Sequence, residues 1–115
     1  MTRIQTLVSI AALTMGITAC SDSEPEPPKL SPELKQGQDI VKANCFVCHG
    51  QGINGAPMIG NHKAWSPRIA QGMDTLVEHA SNGFNMMPAR GGNANLSDAE
   101  IRLAVGYMVS QVETP

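Results

Sequence analysis

Two cysteines and a histidine stand together at Cys45-Phe46-Val47-Cys48-His49. The spacing C-x-x-C-H is that of a c-type haem attachment. Two thiols three positions apart, on one turn of helix, can each bond to one of the two haem vinyl groups, and His49 then lies beneath the iron as an axial ligand. Other chemistries of a C-x-x-C pair need surroundings that are missing. A redox dithiol of the thioredoxin kind needs a βαβ context, and these flanks do not read as strands. Structural zinc wants four protein ligands, usually with a second Cys or His cluster, whereas the only other cysteine is Cys20 and His62 and His79 stand alone.

A ligand for the other face of the iron is offered by Gly83-Phe84-Asn85-Met86-Met87-Pro88-Ala89-Arg90-Gly91-Gly92. Glycine and proline frame this stretch and no periodicity survives in it, so it reads as a loop. A thioether is a soft, neutral ligand for haem iron, and Met/His ligation raises the reduction potential. Met87 is the better of the two methionines. The residue before proline is pushed to extended geometry, which can project its side chain from the loop, with Met86 then pointing elsewhere and packing. A sulfur that binds ferrous iron about a thousandfold better than ferric raises the potential by about 180 mV, at about 59 mV per tenfold for one electron.

Around His49 the residues suggest how a ligand is held. The run Gly50-Gln51-Gly52-Ile53-Asn54-Gly55-Ala56-Pro57 is a tight glycine-rich loop, with backbone close to something flat. The Pro57 carbonyl is a candidate acceptor for the second ring N–H of His49, the bond that normally sets a ligand histidine's tautomer and basicity. Trp65 is either a pocket wall with an indole donor or simple core. Arg68 is either a partner for a haem propionate or a solvated charge. His79, in the last turn of a helix where a cation suits the dipole, reads as a surface histidine, as does His62.

These residues need helices to place them. Ser31 is a good N-cap, with Pro32 at the first helical position and Glu33 near the positive helix end. Leu34, Gly37, Val41 and Cys45 then share one face at helical spacing, and Gly37 suggests close approach by another helix. Asn61 to Gln71 reads as short helical pieces, with Ser66-Pro67 as a cap and first-position pair and Gly72 as terminator. Asp74 to Ser81 reads as a further helix ending before Gly83. Ser97-Asp98-Ala99-Glu100 fits a capping box and opens a last helix whose stripe of Ile101, Ala104, Val105, Met108 and Val112 needs a partner, for which the first helix is the obvious choice.

At 115 residues the chain allows one small domain. The net charge of −2 is modest, and no basic patch suggests nucleic acid. Residues 1–19 read as a signal peptide: Arg3 supplies a positive start, the apolar run is shorter than the roughly 17–25 residues of a membrane span, and small residues close it. Its end, Ile17-Thr18-Ala19-Cys20, resembles a bacterial lipobox, in which the cysteine is lipidated and becomes the first mature residue; an ordinary signal peptide or an uncleaved anchor are the other readings. One acyl chain holds a protein only marginally, and the lipobox resemblance implies a multiply acylated terminus that would hold it firmly. Residues 20–30 form an acidic, proline-rich linker, extended and unpacked, which leaves residues 31–115 as the folded domain. That length is close to the limit below which a core rarely suffices alone, and a covalently held haem would complete it.

From about Leu34 to Val109 the pattern resembles the class I c-type cytochromes, and most of all the small bacterial "c-five" subgroup. The matching residues are Gly37, then Cys45-Phe46-Val47-Cys48-His49-Gly50, Gly55-Ala56-Pro57, Ala64-Trp65-Ser66-Pro67-Arg68, Gly83-Phe84-Asn85-Met86-Met87-Pro88, Gly91-Gly92 and Leu96-Ser97-Asp98-Ala99-Glu100. The resemblance implies an all-α fold of about four to five short helices around one haem c. The first helix would cross the last near Gly37 and Val41, against Ala104, Tyr107 and Met108. The resemblance also implies thioether attachment at Cys45 and Cys48, with His49 and Met87 as axial ligands. It further implies a periplasmic one-electron carrier that docks transiently with redox proteins and is not itself an enzyme; the lipobox resemblance adds a membrane tether through Cys20. Several members of the subgroup carry a second cysteine pair before the last helix, and Asn93 to Leu96 contain none. Rival expectations are a fixed subunit of a membrane oxidase or dehydrogenase, or a peroxidase or gas sensor, which would need a vacant or labile sixth iron position.

Overall fold

The computed structural model describes residues 29–113. The expected signal peptide, Cys20 and most of the expected linker lie outside the described residues. Within them the chain forms α1 (Pro32–Asn44), α2 (Phe46–His49), α3 (His62–Ile69), α4 (Met73–Asn82) and α5 (Asp98–Glu113), with 3-10 turns at Ile53–Gly55 and Ala89–Gly92. Among the described residues there is no strand beyond an isolated bridge between Phe84 and Met87. The all-α expectation therefore holds.

The frame is the crossing of α1 and α5. α1 starts where the sequence places it: the Ser31 hydroxyl accepts from Leu34 N–H at 3.2 Å, and Pro32 occupies the first turn, where its missing N–H costs nothing. α5 opens with a complete capping box. Ser97 N–H donates to Glu100 at 2.8 Å, and Glu100 N–H donates back to the Ser97 hydroxyl at 3.3 Å. The two helices touch backbone to backbone at Gly37, where a Cβ would run into the Leu103 carbonyl and come within 3.0 Å of Tyr107 Cβ. Gln38 seals the crossing by donating to the Tyr107 hydroxyl at 3.1 Å.

Behind the crossing, the α5 stripe of Ile101, Ala104, Val105, Met108 and Val112 is buried together with Val41 of α1, Trp65 of α3, and Leu76 and Ala80 of α4. α4 lies against α5, its first turn joined to it by an ion pair from Arg102 to Asp74 at 2.6 Å.

α3 departs from the expectation of separate pieces. It is one helix capped by Asn61, whose side chain accepts from Ala64 N–H at 3.0 Å. Ser66 is not a cap: its hydroxyl donates to His62 O at 2.7 Å within the helix, and Pro67 sits inside the last turns.

Candidate haem site

α1 ends at Asn44, and Cys45 caps it while starting the single turn of α2. Cys45 N–H still donates to Val41 O at 2.9 Å, and His49 N–H donates to Cys45 O at 3.0 Å. Cys45, Cys48 and His49 thus share one continuous stretch of helical bonding, and all three line one cavity. The cavity holds about 610 Å³, within the roughly 300–1,000 Å³ of small-molecule and cofactor pockets. Its walls come from every part of the fold: Ala56 and Pro57 of the glycine loop, Trp65 and Arg68 of α3, Leu76, His79 and Ala80 of α4, Met87 of the following loop, and Val105 and Met108 of α5.

His49 is buried and its Nδ1 lies 3.0 Å from the carbonyl oxygen of Pro57. A carbonyl can only accept, so Nδ1 carries the proton and Nε2 keeps its lone pair for a metal. The neighbouring residues extend the support. Met58 O accepts from Trp65 Nε1–H at 2.8 Å, and Ile59 N–H donates to His49 O at 2.9 Å. Trp65 is buried and lines the cavity, its ring 6.2 Å from that of His49. It is thus both the wall with an indole donor and a member of the core.

No disulfide joins Cys45 and Cys48, which leaves both sulfurs for a haem. Burial, and then the neighbouring Cys48, push the Cys45 thiol up, so it is neutral at pH 7. Met87 is half-buried and packs against the core. Phe84 and Met87 exchange both backbone bonds, at 3.0 and 2.9 Å, around a tight turn with Asn85 at φ 51°. Met86, expected to pack, is instead 68 % exposed at the tip of this turn, at the rim of the cavity. Arg68 is half-buried at the cavity edge and donates to Ala64 O at 2.5 Å, leaving other guanidinium donors for an anion.

His79 is not the surface residue expected from its place in the last turn of α4. Its ring stacks on Phe84, with centroids 3.9 Å apart and planes 14° apart, and it lines the cavity. The signal was its spacing: Leu76 is three positions before and Ala80 one after, and both are buried. His62 is exposed, as expected.

The residues fit a haem. Two cysteines at the right spacing, a histidine with its tautomer fixed and Nε2 available, a thioether and the Arg68 guanidinium surround a mostly apolar cavity of cofactor size.

Comparison with known proteins agrees. Residues 32–108 match the family model described as cytochrome c oxidase, cbb3-type, subunit III. The chain is 51% identical over 79 residues to cytochrome c-555 of Chlorobaculum tepidum, covering 65% of this chain and 73% of that protein. It is 38% identical over 76 residues to cytochrome c5 of Azotobacter vinelandii, covering 64% of this chain and 92% of that one. Among solved structures, a chain from an electron transfer complex of nitrite reductase with cytochrome c superposes with a TM-score of 0.66 and 38% identity, covering 74% of this chain and 100% of that chain.

Proposed function

The chain belongs to the class I c-type cytochromes, a one-electron carrier with a single haem c attached through Cys45 and Cys48, and from that premise we propose that His49 and Met87 are the two axial ligands. The haem iron, when bound, takes up and gives up one electron between Fe(III) and Fe(II). The observation that carries the ligand assignment is the His49–Pro57 hydrogen bond of 3.0 Å in a cavity that Met87 also lines. Pro57 holds His49 as a basic, oriented imidazole. Met87 supplies a soft donor that favours the reduced metal. Trp65 braces the histidine loop through Met58. Arg68, at the cavity edge with guanidinium donors beyond its bond to Ala64 O, pairs with a propionate in this reading, and the apolar walls keep water out.

With both axial positions filled by side chains, no open position remains for a substrate, so the protein acts as a carrier and not as an enzyme. Its partners are redox proteins, a reading supported by the relative solved in complex with nitrite reductase. Docking is on the cavity's open side, where Phe84 and Met86 are exposed. The place of action is the periplasm, with the domain tethered to a membrane through a lipidated Cys20 and residues 20–30 as spacer. Cyclic voltammetry tests the function. A reversible one-electron wave with no catalytic current on adding peroxide is expected, and a catalytic wave would contradict it.

A second reading, a fixed subunit of a membrane oxidase, draws on the description of the matching family model. Purification from membranes separates the two: a carrier comes away alone, a subunit with its complex.

A further inference from the structure

The loop that carries Met87 continues into strained backbone. Arg90, Gly91 and Gly92 follow one another with φ of 55°, 62° and 87°, and for Arg90 that region is unfavourable. Within the loop, Gly91 N–H donates to Pro88 O at 3.1 Å and Asn93 N–H to Arg90 O at 3.1 Å. Those bonds shape the loop. Arg90 ties it to the start of α5, donating to Leu96 O at 2.6 Å and pairing with Asp98 at 2.5 Å. The bond that ties it to α1 is between side chains 49 positions apart: Asn93 Nδ2–H donates to Asn44 Oδ1 at 2.8 Å.

Both amides are oriented by their other bonds. Asn44 Nδ2–H donates to Ile40 O at 3.1 Å within α1, so its oxygen is the atom turned to Asn93. Asn93 Oδ1 accepts from Asn95 N–H at 3.1 Å, so its nitrogen is the atom turned to Asn44. Flipping either amide would set acceptor against acceptor. Asn44 directly precedes Cys45, and both Asn44 and Gly91 line the cavity.

We propose that Asn44 and Asn93 form a clamp that ties the attachment helix to the methionine loop and so holds Met87 on the iron; they are positioning residues for the sixth ligand. This rests on Met87 being that ligand. Opening the clamp releases the loop from α1, although Arg90 still ties it to α5, and a small molecule competing for the metal then gains affinity in proportion to the open fraction.

The experiment uses the full holoprotein and imidazole as probe. Binding of imidazole to the ferric protein is titrated optically at pH 7.5 for the wild type, Asn93→Asp, Asn93→Ala and Val112→Ala. Asn93→Asp keeps the acceptor for Asn95 and replaces only the donor to Asn44. Asn93→Ala removes both without adding charge. Val112 is buried away from the cavity lining, so its truncation reports general destabilisation. Both Asn93 variants are expected to bind imidazole about tenfold more tightly, equivalent to about 1.4 kcal/mol. Val112→Ala is expected to unfold at lower temperature with its imidazole affinity within about twofold of the wild type. Unchanged affinity in the Asn93 variants, or an equal gain in Val112→Ala, would overturn the clamp while the far-red sulfur–iron band of the wild type persists. A wild type lacking that band overturns the Met87 assignment itself, and the clamp with it.

Discussion

Pro57, Met58 and Ile59 hold the histidine side of the cavity with three consecutive bonds, to His49 Nδ1, to Trp65 Nε1 and to His49 O. Trp65→Phe keeps most of the ring volume but leaves the Met58 carbonyl with the Asn61 N–H as its one donor. It is expected to lower stability by about 0.5–1.5 kcal/mol, the net worth of one hydrogen bond, measured by chemical denaturation of the ferric protein. Met87→Ala is expected to lower the reduction potential by about 180 mV for a thousandfold loss of ferrous preference, read by voltammetry. At this scale the sequence was most informative where chemistry restricts the choice. The C-x-x-C-H spacing, the free carbonyl of Pro57 and the pre-proline Met87 could all be read. His79 could not be placed from the helix dipole alone, because a last-turn histidine suits the dipole whether it faces solvent or a cavity; its spacing from Leu76 was the signal to follow. Asn44 and Asn93 could not be paired, because nothing in a sequence reports a hydrogen bond across 49 positions.

α1 and α5 meet where neither has a side chain to spare. Gly37→Ala would gain about 1 kcal/mol in helix propensity, yet its Cβ runs into the Leu103 carbonyl. Such overpacking typically costs about 1–3 kcal/mol, so the variant is expected to unfold at a lower temperature than the wild type; a rise would show that the crossing has slack. At the start of α5, the bond from Ser97 N–H, and then that from its hydroxyl, hold the Glu100 carboxyl below its ordinary value. A carboxyl depressed in the folded state contributes stability that is full above its unfolded pKa and lost as pH falls through the folded one. Glu100→Ala is therefore expected to melt below the wild type at pH 7 and level with it in acid, as followed by circular dichroism. Both helices could be read from caps and periodicity. α3 was misread because Ser-Pro is an N-terminal signal wherever it occurs, and only the Asn61 bond to Ala64 shows that the helix had already begun.

The domain as a whole is built around a space. Its buried side chains form one layer between α1, α4 and α5, and the other side of that layer is the cavity wall of Trp65, Leu76, Ala80, Val105 and Met108. A chain this short has little core to lose, so the haem is expected to be structural as well as functional. Cys45→Ala/Cys48→Ala protein, which cannot attach it, should lose most of its helical circular dichroism and its cooperative melt; retention of both would show that the helices suffice alone. The class I fold was legible because the motifs run through nearly the whole domain, and each marks a cap, a turn or a cavity wall.

The central claim is a closed iron between His49 and Met87, and an optical spectrum tests it most directly. Periplasmically matured protein is recorded oxidised and reduced, alongside Met87→Ala. The account predicts sharp reduced bands and a weak far-red sulfur–iron charge-transfer band in the oxidised wild type, with the far-red band absent from the variant. A high-spin wild type that binds carbon monoxide readily would contradict it.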